Sequence, residues 1–174
     1  MIIVLCGFKG CGKSVVGRAL ANIKGVPFVD LDALIEQHFC KDKPKQLTFR
    51  QIYKLIGAIA FRNLEKAVLA QFEPKGDVVF SVGGGTLMDS ENKEILKQLG
   101  QLVYLQVEDD LLFSRIMADG IPATFDASNP RGSFDKLLSE RQVVFEKTCE
   151  TKVNLTHCSV DQAAQAVLSA VAND

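Results

Sequence analysis

The chain carries almost no net charge: 20 Lys and Arg against 21 Asp and Glu leave −1. That removes any global attraction to nucleic acid or to an anionic membrane, so a negative substrate must be held by a local site. No apolar run reaches the ~18–20 residues of a membrane-spanning helix. No charged leader with a cleavage site opens the sequence, and Met1 leads directly into an apolar stretch. Both absences point to a cytoplasmic protein with no membrane partner. The five cysteines, Cys6, Cys11, Cys40, Cys149 and Cys158, are odd in number, scattered and form no C-x-x-C. That argues against a zinc site and a disulfide framework and fits a reducing compartment. Repeats and low-complexity tracts are also lacking. A length of 174 residues is most simply one domain, 1–174, able to bury a substantial core.

What is present is organised around the stretch Gly7-Phe8-Lys9-Gly10-Cys11-Gly12-Lys13-Ser14. It fits G-x-x-x-x-G-K-[ST], the phosphate loop. Such a match arises by chance in large collections, but the context here is the one the motif demands. Met1 to Cys6 reads as a buried strand before it, and Val15 to Ala21 as a helix after it. Glycines let backbone N–H groups turn toward phosphate oxygens, and the positive end of the helix adds to the same anion site. Lys13 brings a full charge to the β- and γ-phosphates, and Ser14 a hydroxyl for Mg²⁺. Cys11 lies near a helix N-terminus, which lowers a thiol pKa; its plainer role is a small residue that fits the loop.

Strands and helices alternate along the rest of the chain. A helix runs to about Lys24, where Gly25 ends it. Pro27-Phe28-Val29 is a short strand that delivers Asp30-Leu31-Asp32, and 33–39 is helical. The polar, proline-bearing segment 41–46 is a loop. Helical spacing resumes from Phe49, breaks at Gly57, and continues from about Ile59 to Phe72. Strands follow at 77–82 and 102–107, helices at about 90–99 and 109–117, and a further helix from Phe134 to about Lys147. A short strand at 152–156 and a helix at 160–171 close the chain. Residues 118–133 hold two prolines, two glycines and little periodicity, which predicts a long functional loop. The alternation predicts an α/β fold with a parallel sheet of about five strands covered on both faces. Ligands sit at the C-terminal strand ends of such sheets. The phosphate loop, Asp30/Asp32 and Gly83-Gly84-Gly85 all fall there.

Asp30 and Asp32 share a face of an extended segment. One can orient water on Mg²⁺ and the other can accept a proton from an attacking hydroxyl; the plain alternative is that Asp32 caps the helix opened by Ala33. Gly83-Gly84-Gly85 either exposes backbone N–H groups to a ligand or makes a tight turn. Arg62 can pair with Glu65 at i+3. Arg62 and Arg141 are separately ordinary surface charges; aimed at one cleft they would bind a carboxylate by bidentate hydrogen bonds.

The phosphate loop, Phe28-Val29-Asp30-Leu31-Asp32-Ala33-Leu34-Ile35-Glu36, Phe61-Arg62-Asn63-Leu64-Glu65 and Ser81-Val82-Gly83-Gly84-Gly85 together resemble the shikimate kinase family. Order and spacing match from residue 2 to at least Arg141. The resemblance implies a three-layer α/β/α P-loop kinase with sheet order 2-3-1-4-5 and a mobile lid over about 118–133. It implies transfer of the ATP γ-phosphoryl group to the 3-hydroxyl of shikimate, with Mg²⁺, by a monomer. In these terms Gly7, Gly10, Cys11, Gly12, Lys13, Ser14 and Val15 hold the phosphates, and Arg115 lies near adenine. Ser14 and Asp30 serve the metal, Asp30 through water. Asp32 binds ring hydroxyls and is the base or orienting group. Arg62 and Arg141 bind the carboxylate, Glu65 braces Arg62, and Gly83, Gly84 and Gly85 line the ring, within a helical substrate segment of about 31–65.

The chain departs from the family pattern at several points. Ile121, in Gly120-Ile121-Pro122-Ala123, stands where the family's lid carries arginine. Another cation must serve, and Arg131 is favoured over Lys136 because it lies within the expected loop. The usual Gly-Glu before F-R is Gly57-Ala58, Phe145 replaces a tyrosine, and 41–46 looks longer than usual. Two alternatives stay open: a small kinase for another acceptor, such as gluconate or a nucleoside monophosphate, and a non-catalytic relative that binds ligand.

Overall fold

The computed structural model describes residues 1–172. Five strands, β1 (Ile2–Cys6), β2 (Phe28–Asp30), β3 (Val78–Ser81), β4 (Gln101–Gln106) and β5 (Thr151–Asn154), form one parallel sheet in the order β2-β3-β1-β4-β5. The continuous apolar runs in β1, β3 and β4 follow from burial on both faces: Ile3, Val4, Leu5, Val79, Phe80, Val103 and Leu105 are inaccessible to solvent.

The helices are α1 (Lys13–Lys24), α2 (Leu31–Cys40), α3 (Phe49–Ala70), α4 (Ser90–Leu99), α5 (Asp109–Ala118), α6 (Pro130–Thr148) and α7 (Val160–Ala172), with a 3₁₀ turn at Thr86–Met88. α1 packs beside α7 and lies on β3. Gly17 allows this approach: a Cβ there would lie 2.4 Å from the Phe28 ring and 3.0 Å from Leu5. α3 begins with a capping box between Thr48 and Gln51 and is two helical stretches that meet at a kink, since Gly57, at φ 80° and ψ 169°, is non-helical and interrupts the helix where the sequence predicts a break. Phe145, where the family has tyrosine, is buried and stacks on Tyr104 at 5.1 Å.

Two boundaries differ from expectation in ways that bear on the site. α6 starts at Pro130, so the irregular lid segment is 119–129 rather than 118–133. Pro130 initiates the helix because its missing N–H is not needed in the first turn, and the Asn129 side chain accepts from the Gly132 N–H as the cap. α2 starts at Leu31, not Ala33. Its cap is Asp30, whose Oδ1 accepts from the Asp32 N–H at 3.1 Å, and Asp32 sits in the first helical turn. The two aspartates therefore do not share an extended face, and Asp32 is not the cap.

Candidate active site

The phosphate loop leaves β1 and enters α1 through three glycines with left-handed or otherwise positive φ: Gly7 at 146°, Gly10 at 84° and Gly12 at 99°. Gly7 is also held by space, since a Cβ would lie 2.7 Å from the Leu105 carbonyl oxygen and 2.8 Å from Cys11 Sγ. Gly12 caps α1 without a side-chain hydrogen bond, and no acidic residue occupies the first turn. The first N–H groups of α1 are thus left for an anion at the positive end of the helix. Lys13 Nζ donates to the carbonyls of Gly7 (2.9 Å) and Phe8 (3.0 Å), curling over the loop it will share with phosphate.

At the loop's exit the Ser14 hydroxyl donates to Asp30 Oδ2 at 2.7 Å. Asp32, partly buried one turn on, has its carboxyl raised to about 7, chiefly by loss of solvent and next by the charge of Asp30, against the pull of Lys13. A carboxyl poised near neutrality is what a general base requires.

Across the cleft, Glu65 is buried and anchors two partners. Its Oε2 accepts from Arg62 Nη1 at 2.7 Å, and its Oε1 from the Thr86 hydroxyl at 2.9 Å. Gly83, Gly84 and Gly85 follow β3 and lie against this group. A Cβ on Gly85 would sit 2.7 Å from Arg62 Nη2, one on Gly84 3.4 Å from Arg141 Nη1, and one on Gly83 3.6 Å from Asp32 Oδ1. Arg62 closes the space at Gly85, while Gly84 is tightest against the Lys9 amide nitrogen (3.1 Å) and Gly83 against the Thr86 hydroxyl (3.0 Å). Arg141 arrives from α6, its guanidinium 5.3 Å from the centre of the Phe8 ring. Its pKa falls to about 10 through burial and through the like charge of Arg62. Its Nε is buried with no hydrogen-bond partner. Two guanidinium groups that repel each other, one with an unmet donor, describe a site short of an anion.

These contacts bring together Asp32, Arg62, Glu65, Arg141 and the glycine triplet, which are spread over more than a hundred residues. Arg131 is not part of the cluster. It lies in the first turn of α6, outside the lid, where Nη1 donates to Asp110 (2.7 Å) and Nε to Asp135 (2.8 Å). Arg115 is exposed on α5. An open cleft of about 830 Å³ lies at the same edge of the sheet, lined in part by Val107, Asp110, Arg131, Asn154, Thr156 and His157, so Arg131 borders this cleft rather than the arginine cluster. The polar β5–α7 loop carries no motif, so nothing local marked it. Thr86 also escaped notice, since a lone threonine after three glycines signals only a turn.

The family model for shikimate kinase matches residues 9–172. The chain belongs to the shikimate kinase family. Shikimate kinases are ATP-dependent phosphotransferases of the shikimate pathway, and this chain is one of that family. It is 30% identical over 171 residues to a shikimate kinase of Bartonella quintana, covering 98% of this chain and 78% of that protein. Over 162 residues it is 30% identical to a shikimate kinase of Alkaliphilus oremlandii, covering 92% of each. Among solved structures, the shikimate kinase of Acinetobacter baumannii in complex with shikimate superposes with a TM-score of 0.88 at 28% identity, covering 99% of this chain and 93% of that one. No helix among the described residues is long and apolar enough to cross a membrane.

Proposed function

We propose that this shikimate kinase transfers the ATP γ-phosphoryl group to the 3-hydroxyl of shikimate with the residues described above. The observation that carries this reading is the unsatisfied, mutually repelling pair Arg62 and Arg141 beside the glycine triplet and Asp32. A carboxylate bridging the two guanidinium groups would relieve their repulsion and meet the free Nε. Glu65 holds Arg62 at the angle that this requires. Asp32 then accepts hydrogen bonds from ring hydroxyls and takes the proton of the attacking one. A nucleoside monophosphate or an acyclic acceptor makes less use of a paired-arginine bowl walled by backbone.

On the donor side, Gly7, Gly10, Cys11, Gly12, Lys13, Ser14 and Val15 surround the phosphates, and Lys13 leaves the Gly7 and Phe8 carbonyls for phosphate oxygens. The 830 Å³ cleft takes the nucleoside, and Arg115, exposed on α5, is proposed to lie near its base. The Ser14 hydroxyl and Asp30 carboxylate, 2.7 Å apart, are hard oxygen donors suited to Mg²⁺. No group of three or more His, Cys, Asp or Glu among the described residues could hold a metal by itself; two protein oxygens with phosphates and water is the usual way Mg²⁺ is held. When bound, Mg²⁺ neutralises charge on the phosphates. The lid, residues 119–129 of one kinase domain, excludes water from the transfer. We take the protein to act as a monomer in the cytoplasm.

The test is ADP release by purified protein with ATP, Mg²⁺ and shikimate, with gluconate and nucleoside monophosphates as parallel acceptors. Shikimate-dependent release is expected. ADP at the ATPase background with shikimate, or a preference for another acceptor, would overturn the reading.

A further inference from the structure

The acceptor side of the transferring phosphoryl group needs a cation that the lid does not provide. Ile121 is an exposed hydrocarbon there. Lys13, which rests on the Gly7 and Phe8 carbonyls, serves the donor phosphates in the reading above, Arg62 and Arg141 serve the acceptor carboxylate, and Arg131 is held by Asp110 and Asp135. Lys136 is exposed on α6, and Arg50 of α3 pairs with Asp119 at 3.8 Å.

We propose that Lys9, from within the phosphate loop, is a catalytic residue that contacts the transferring phosphoryl group and replaces a lid cation. Its position carries the argument. It follows Phe8, whose carbonyl accepts from Lys13, so it is part of the loop that holds the donor phosphates. Its amide nitrogen is 3.1 Å from the Cβ position of Gly84, so it also borders the acceptor bowl. Lys9 is thus where donor and acceptor halves of the site meet. Among the described residues its ammonium makes no ion pair or side-chain hydrogen bond, although it is half-buried. Its charged neighbours are Arg50, from the substrate segment, and Asp119, the first lid residue. Loss of solvent and Arg50 lower its pKa, and Asp119 opposes them. The Lys9 backbone borders both halves of the site, and its half-buried ammonium, beside Arg50 and Asp119 and without an ion pair, is free to meet charge that appears in the transition state. Placing the cation in the loop removes the need for the lid to deliver it, and the lid retains its role of excluding water.

The proposal rests on the shikimate kinase reading above, and the test separates the two. Wild-type protein, Lys9→Met, Lys9→Gln, Lys9→Arg and the double variant Lys9→Met/Ile121→Arg are compared in steady-state turnover. Binding of shikimate and of shikimate 3-phosphate is measured by calorimetry. Loss of the charge should lower kcat by about 10²-fold or more, the scale for one positioned transition-state donor. KM for shikimate should move by no more than about threefold, because the lost contact forms only with the phosphoryl group. Affinity for the phosphorylated product should fall more than affinity for shikimate. Lys9→Arg should keep most of the activity, and Ile121→Arg should recover part of what Lys9→Met loses. Lys9→Met or Lys9→Gln turning over at the wild-type rate would overturn the proposal alone. Wild-type protein without shikimate-dependent turnover would overturn the reading beneath it.

Discussion

Glu65, 1% exposed, holds Arg62 Nη1 at 2.7 Å while its other oxygen takes the Thr86 hydroxyl. The carboxylate is buried by the walls of the acceptor bowl, and the arginine is aimed by it. In the proposed site, this pair would make a helix-surface arginine a fixed ligand for the substrate carboxylate. Replacing Glu65 by Gln keeps the shape and removes the charge. KM for shikimate should rise roughly tenfold with a smaller change in kcat, and stability should fall by about 1–3 kcal/mol as a buried donor loses its partner. Steady-state kinetics and thermal melts of the same preparation check both.

Gly85→Ala should produce a related defect by crowding. A Cβ there meets Arg62 Nη2 at 2.7 Å, so the guanidinium must shift away from its carboxylate ligand. KM for shikimate should rise, with ATPase background and ATP affinity unchanged. An unchanged KM would mean that Arg62 moves freely and is not fixed by Glu65.

Asp32 links activity and stability to pH. Its carboxyl is raised to about 7 in the folded chain, from a usual value near 3.8. Between those values the folded chain holds a proton that the unfolded chain has released. Stability from this group is therefore fully present below about pH 4 and declines as pH rises toward 7. Asp32→Asn should remove that decline and raise stability at pH 8 by about 2 kcal/mol, the full shift being discounted for solvent screening. The same substitution should cost about 10²–10⁴ in kcat. In the wild type, kcat/KM should fall on the acid side with a midpoint near 7. A midpoint near 4 would show that bound ligands restore an ordinary carboxylate.

Lys13→Ala should lower kcat by at least about 10²-fold, since it removes a charge aimed at the transferring phosphoryl group. It also frees the Gly7 and Phe8 carbonyls that the ammonium ties together. Faster proteolysis or hydrogen exchange at 7–13 without nucleotide is expected alongside the kinetic loss.

Arg131→Ala should change kcat little. Two carboxylates hold the exposed guanidinium at the rim of the cleft proposed for the nucleoside, so KM for ATP should move more than kcat. A large loss of turnover would show that Arg131 abandons Asp110 and Asp135 when the lid closes.

Local chemistry was legible in the sequence. The phosphate loop, the glycine triplet and the Arg62–Glu65 spacing each lie within a few residues, so turn and helix rules describe them, whereas Asp30 and Asp32 read as one extended face because the helix start at Leu31 is not legible there. The sheet order was expected from family resemblance and is the order found. Strand and helix alternation also placed three clusters on one edge of that sheet. Tertiary structure decided what depends on distant partners. Arg141 meets Arg62 only because α6 passes over Phe8. Arg131 is favoured by its place in the expected loop, and its pairing with Asp110, twenty-one residues away, is invisible to a local pattern. Pro130 read as loop although, at a helix start, its missing N–H costs nothing. Nothing in the sequence singled out Lys9, and its amide nitrogen reaches Gly84 only through tertiary packing. Side-chain partners far apart in sequence are set by how the elements pack, and a charge's function depends on those partners.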